Sequence, residues 1–180
     1  MPTDAIALLK ADHRVVEDLF KKFEKVGERA LKTRQSLVDK MLHELVTHTY
    51  MEEQVFYPFI RTLNKKLNDD TLEALEEHHA AKATLAELQL MNASEERFTP
   101  KVTVLIESVR HHVKEEEREL FPEVRQASTR RDLVDLVPAL EAARTAAPSR
   151  AMPNAPDTPR GEKSAPPSLG GIVDHVTGVK

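Results

Sequence analysis

The sequence predicts an all-α protein, an up-down-up-down four-helix bundle carrying a short extra C-terminal helix. Three observations point there. Apolar residues recur at three- and four-residue spacing from about residue 4 to residue 145. Glycine and aromatic residues are scarce, with five glycines, two tyrosines and six phenylalanines among 180 residues, whereas a β-sandwich needs more of both. Residues 48–58 are echoed by residues 112–122, with His48, Glu52, Glu53 and Pro58 matched by His112, Glu116, Glu117 and Pro122. A helical hairpin that occurs twice packs naturally into a bundle.

The elements follow in order. A first helix starts after Thr3 or Asp4 and stops near Gly27, with a capping side chain before it and a glycine past its end. A second runs from about Arg34 towards Arg61. Residues 64–70 read as a polar loop in which Asp69 or Asp70 caps a third helix ending near Met91. Thr99-Pro100 pairs a hydroxyl cap with a first-turn proline and opens a fourth helix reaching about Arg125. Ser128 opens a shorter fifth segment, which Pro138 should kink. From Pro148 the chain turns to Pro, Ser, Ala and Gly, the composition of a disordered tail. The expected organisation is a metal-binding bundle over 1–127, an added helix packed on it over 128–147, and a Pro-rich tail over 148–180. Apolar residues near the end of that tail could dock on a protein partner.

Composition excludes several classes. The 26 basic and 30 acidic residues are well mixed and sum to a formal net charge of −4, so nucleic acid is not an expected partner. No apolar run approaches the roughly 18 residues a membrane span requires. The N-terminus lacks the basic and apolar regions of a secretory signal. With no cysteine there are no disulfides, zinc fingers or thiolate-bound clusters, and a reducing cytoplasm is the expected compartment.

Seven of the eight histidines lie in the helical region and sort by helix face. On the fourth helix His112 and Glu116 fall within the stripe of Val102, Leu105, Ile106, Val109 and Leu120, while His111 and Glu115 point away. On the second, His48 and Glu52 lie with Met41, Leu45 and Phe56, and His43 is nearly opposite. On the first, His13 sits among Ile6, Leu9, Val16 and Phe20. On the third, His78 and His79 both border the apolar side; Leu72, Leu75, Ala86 and Leu90 favour His79, as does an offset of 66 from His13. Buried ionised carboxylates are costly unless paired or metal-bound, and Lys82 is the nearest cation to those stripes. Two glutamates and four histidines converging inside a bundle therefore point to divalent cations. Imidazole and carboxylate without sulfur suit iron, manganese or zinc. A lone histidine on an apolar stripe is more often a hydrogen-bonded core residue, and Glu115 and Glu117 read as a solvated face; the duplicated His-x-x-x-Glu-Glu with its shared proline outweighs chance.

From about Ala5 to Arg125, through Asp12-His13, residues 48–58, Glu77-His78-His79 and residues 112–122, the chain resembles the hemerythrin-like, or HHE cation-binding, family. The resemblance implies a non-haem di-iron centre, two iron ions bridged by two carboxylates and an oxo or hydroxo group, with His13, His48, Glu52, His79, His112 and Glu116 as ligands. Oxygen-carrying members have a fifth histidine one turn after the one matching His79, and an aspartate on the fourth helix. Here Ala83 and Glu116 stand in those places. The expected function is binding of dioxygen or a reactive oxygen or nitrogen species, in oxygen binding, stress response or iron sensing. Two alternatives accompany it: a di-iron enzyme with peroxidase-, catalase- or ferroxidase-like activity, and a helical interaction module with no need of metal.

Overall fold

Asp4 starts the first helix, α1 (Ala5–Lys25): its carboxylate accepts the Ala7 N–H at 2.9 Å, and Arg125 grips the same oxygens at 3.1 Å. The computed structural model describes residues 3–152. The buried face of α1 runs through Ile6, Leu9, His13, Val16, Phe20 and Phe23, the 3.6-residue repeat of an amphipathic helix. Next, α2 (Leu31–Met51) passes without a break through a π-helical turn, Glu52–Phe56, into α3 (Tyr57–Ile60).

The third bundle helix, α4 (Lys65–Leu88), starts earlier than expected. Asn64 caps it by accepting the Leu67 N–H at 2.8 Å, and Leu67 is fully buried. Residues 65–70 are thus its first turns rather than a loop. The fourth helix, α5 (Phe98–Glu115), begins at buried Phe98 with no side-chain cap. The Thr99 hydroxyl that was expected to cap it accepts from Arg34 instead, at 2.8 Å. After α5 comes a second π-helical turn, Glu116–Leu120, and α6 (Phe121–Ala127). Thr129 and Asp132 then form a reciprocal capping box for α7 (Arg130–Asp135). Ser128 belongs to the end of α6, and Pro138 sits in the first turn of α8 (Val137–Ala146), so it separates two short helices rather than bending one.

The paired π turns were not anticipated, and the two prolines account for them. A proline inside a helix has no N–H to give and its ring meets the carbonyl four residues back. Here the N–H of the preceding residue reaches back five: Tyr57 to the Glu52 carbonyl, and Phe121 to that of Glu116. The wider turn admits Pro58 and Pro122 with the helix direction kept.

In the bundle α1 packs on α2 and α4 on α5, and contacts of α2 with α4 and of α1 with α5 close the ring. Two apolar clusters result. One gathers Ile6, Leu9, Met51, Phe56, Tyr57 and Phe121, and α7 and α8 extend it with Leu133, Leu136 and Leu140. The other holds Val16, Phe20, Met41, Leu45, Leu85 and Ile106, with Ala151 buried against it. Each bundle helix crosses from one cluster to the other at a histidine: His13 lies between Leu9 and Val16, and His48 between Leu45 and Met51. Among the described residues there is no strand, and no helix is long and apolar enough to cross a membrane. The tail predicted to be disordered falls, from residue 153 onward, outside the described residues.

Candidate metal centre

The layer between the clusters is a ring of buried imidazoles around two carboxylates. His13 and His48 form one pair, their Nε2 atoms 3.1 Å apart; His78 and His112 form the other, also at 3.1 Å. Glu52 lies 3.1 Å from His48 Nε2 and 3.4 Å from His78 Nε2. Glu116 lies 3.3 Å from His13 Nε2 and 3.5 Å from His112 Nε2. Each carboxylate therefore touches one histidine of each pair, the placement a bridging ligand needs. Helical pitch explains the grouping, since His48/Glu52 and His112/Glu116 are each one turn apart.

Burial here is severe: Glu52 is 0% and Glu116 2% exposed. Both Glu52 oxygens and Glu116 Oε2 are buried without a hydrogen-bond donor. Buried polar atoms in proteins are almost always paired, so these three oxygens fit a site completed by cations. Burial, reinforced by Glu116, pushes the Glu52 carboxyl well above the usual carboxylate range. Burial also opposes charge on Glu116, but His112, His13 and His48 outweigh it and hold that carboxyl low. Burial takes His48 down to about 4 and lowers His78 as well. Neutral imidazoles with outward lone pairs are what a metal ion requires. His112 is the exception: burial works against its charge, yet Glu116 and Glu77 raise it.

A second layer of carboxylates orients the rings. Glu117 accepts from His13 Nδ1 at 2.9 Å, Glu53 from His78 Nδ1 at 3.0 Å, and Glu77 from His112 Nδ1 at 2.7 Å. Asp12 faces His48 Nδ1 at 3.8 Å and is itself held by Arg144 of α8 at 2.8 Å. A hydrogen bond on Nδ1 fixes the tautomer and turns Nε2 towards the centre. The arrangement has a pseudo-two-fold axis, on which Asp12 answers Glu77 and Glu53 answers Glu117.

Five of the six predicted ligand residues, His13, His48, Glu52, His112 and Glu116, meet in this layer. His79 does not: it is exposed, and His78, 2% exposed, takes the place expected of it. Leu72 and Leu90, which argued for His79, are 45% and 88% exposed, while Thr71, Ala74, Leu75 and Leu85 share the buried face with His78. The helix was therefore read about 100° out of phase. The residue one turn on is consequently Lys82 rather than Ala83, and its ammonium contacts Glu53 at 2.9 Å. Glu117, read from the sequence as part of a solvated face, instead accepts from His13, and Glu53 accepts from His78; their signal was the second glutamate of each repeat. His43 and His111 are exposed, as expected.

Three further features shape the layer. Tyr57 donates its hydroxyl to Glu116 Oε1 at 2.9 Å and lies 3.3 Å from His78 Nε2. Its counterpart Phe121 stacks on His13 with centroids 5.8 Å apart. A narrow cavity of about 20 Å³, floored by the four histidines and walled by Val16, Leu45, Leu85 and Val109, abuts the centre; it is room for one or two waters at roughly 10–15 Å³ each.

Comparison with known proteins agrees with this geometry. Residues 4–124 match the sequence model of the hemerythrin HHE cation-binding domain. An uncharacterized hemerythrin-like protein of Schizosaccharomyces pombe is 26% identical over 149 residues, covering 82% of this chain and 72% of that protein. A DNA nickase of a Nostoc species is 27% identical over 118 residues, 66% of this chain but only 32% of that longer protein. The crystal structure of a hemerythrin HHE cation-binding domain-containing protein from Mycobacterium kansasii superposes with a TM-score of 0.66 at 25% identity, covering 79% of this chain and 88% of that one. With two-thirds of its length matched and its histidines and glutamates gathered as a cation site demands, the chain belongs to the hemerythrin HHE cation-binding family.

Proposed function

We propose that this protein holds two iron ions between its helices and uses them to bind a small oxygen or nitrogen species. His13, His48, His78 and His112 would supply imidazole nitrogens, and Glu52 and Glu116 would bridge the pair. The observation that carries the reading is the pair of fully buried glutamates, each touching both histidine pairs, with three oxygens unpartnered. Without cations, those oxygens would be buried at a cost of roughly 1–3 kcal/mol for each unsatisfied group, and more for a charged one. A helical module that needs no metal leaves that cost unexplained.

Iron bound there would supply redox change and open coordination positions for a diatomic molecule or peroxide. Iron is preferred over manganese or zinc because nitrogen-rich ligation with bridging carboxylates suits it where oxygen chemistry is the task. The chain's own contributions are distinct. Three carboxylates hydrogen-bond the histidines and a fourth, Asp12, faces His48; the apolar walls of the small cavity keep water scarce beside them, and Tyr57 presents a hydroxyl to Glu116. Lys82 occupies the turn where oxygen carriers place a fifth histidine, and its ammonium is turned to Glu53. Six donor side chains for two ions leave positions open on both.

A second reading, turnover of peroxide, is favoured by one observation: the Tyr57 hydroxyl is a proton donor inside the layer, next to Glu116 and His78. Titrating the anaerobic iron-loaded protein with dioxygen and nitric oxide by absorbance, and following added peroxide, separates the two. Stoichiometric spectral change with slow peroxide loss supports binding. Sustained peroxide decay that Tyr57→Phe abolishes supports the enzyme. No spectral response to any of the three defeats both.

A further inference from the structure

Beside the buried layer, a cleft of about 110 Å³ opens between α4 and the turn that joins α5 to α6. Its walls are carboxylates: Asp70, Glu73, Glu77, Glu115 and Glu119. Its floor is His112 and Glu116, the latter 2% exposed, with its unpartnered Oε2 turned to the His13 and His112 imidazoles in the layer beneath. Asp70 is neutralised by Lys66, but among the described residues no lysine or arginine lies within ion-pair distance of Glu73, Glu115 or Glu119. At the rim His111 Nε2 sits 3.2 Å from Glu115 and 3.9 Å from Glu77, and these three side chains have ligand atoms close enough to share one cation. Glu77 joins rim to floor, with one oxygen facing His111 and the other on His112 Nδ1.

We infer that this cleft is the inlet through which divalent cations reach the buried pair, with Glu77, His111 and Glu115 as a transient cation site at its mouth. The inference rests on the two-cation reading above. A closed bundle presents a loading problem: a hydrated divalent ion must cross a wall of helices to reach Glu52 and Glu116. A narrow cleft of one charge sign between low-dielectric walls focuses the field and raises the local concentration of the opposite charge. The small cavity over the histidines carries a single carboxylate, Glu77, among mostly apolar walls and so offers a far weaker attraction. The carboxylate and imidazole at the mouth are ligands that suit the same first-row ions as the interior site.

The test is the rate of cation uptake by the full chain, stripped with a chelator and mixed with cobalt(II), which reports its coordination by visible absorption. Glu73→Gln/Glu119→Gln and His111→Ala leave every interior ligand in place and alter only exposed or part-exposed side chains. A focusing cleft speeds association roughly 10- to 1000-fold, so losing two of its carboxylates is expected to slow uptake about fivefold or more. The final cobalt content should equal that of the wild type, and the rate should lose much of its dependence on salt. Glu28→Gln/Glu107→Gln, the same charge change elsewhere on the surface, should load at the wild-type rate. Equal rates in cleft variants and wild type would overturn the inlet while leaving the buried pair standing. A wild-type chain that takes up no cobalt at any rate would overturn the two-cation reading itself.

Discussion

The Tyr57 hydroxyl donates to Glu116 Oε1 at 2.9 Å, and this single bond breaks the two-fold symmetry of an otherwise paired site. The position that answers Tyr57 in the other hairpin is Phe121, which stacks on His13 and offers Glu52 no donor. Glu116 is held low and charged by three histidines, while burial and Glu116 itself favour a proton on Glu52. Two carboxylates in equivalent places thus carry different charge, as closely spaced acids do when both cannot ionise together.

Tyr57→Phe makes the two halves alike. Hydrogen bonds to charged groups contribute about 1.5–3 kcal/mol, so the metal-free variant should lose that much unfolding free energy and show a lower urea midpoint. Its metal content should remain that of the wild type, because no interior ligand is removed. An unchanged urea midpoint would mean that the bond stabilises nothing.

Exchanging the adjacent histidines checks the helical phase. His78→Ala should abolish or halve bound metal, since His78 touches Glu52, Tyr57 and His112 inside the layer. His79→Ala alters an exposed side chain, and its effect on stability should stay within about 0.5 kcal/mol. Metal analysis of the two variants side by side is decisive, and the reverse result would restore the phase first read from the sequence.

Most of the fold and much of the site could be read from the residues, and the failures have physical reasons. His48, Glu52, His112 and Glu116 declared themselves because a charged residue within an apolar stripe needs a partner and the motif occurs twice. His13 followed from its apolar neighbours. His78 was missed because α4 is weakly amphipathic: Leu72 faces solvent while Thr71 and Lys82 are buried, and Leu90 lies past the helix end, so apolar counting tilted the face by one residue. The acid–histidine dipeptides Asp12-His13 and Glu77-His78 carried the correct offset. The π turns depend on where a proline falls in a continuous helix, which periodicity cannot register. Arg144 reaching Asp12 from α8 is a contact between distant parts of the chain that no local pattern encodes.

The orienting carboxylates should matter to affinity. Changing a group that fixes a ligand histidine commonly costs 10- to 100-fold in metal binding, or roughly 1.4–2.7 kcal/mol. Glu53→Gln and Glu117→Gln are expected to fall within that range in competition against a coloured chelator. Arg144→Ala, which frees Asp12 without touching a histidine, should give a smaller loss in the same direction.

Metal uptake should release protons. Burial and Glu116 favour a proton on Glu52, and His112 is raised through Glu116 and Glu77; a cation must displace what those groups carry. Groups whose folded pKa is raised hold protons at higher pH than in the unfolded chain, so cation affinity falls as pH falls and they gain protons. Uptake in weakly buffered solution should therefore acidify the medium, and the affinity should drop steadily on acidification. Affinity independent of pH would show that these groups do not bind the cation.

Metal content per chain decides whether a pair of cations lies between the helices. Protein produced with iron supplied and thoroughly desalted should carry about two irons per chain by elemental analysis, and Glu52→Ala/Glu116→Ala should carry almost none. Wild-type protein with its helices intact by circular dichroism but near-zero metal would mean that no cation pair is held there.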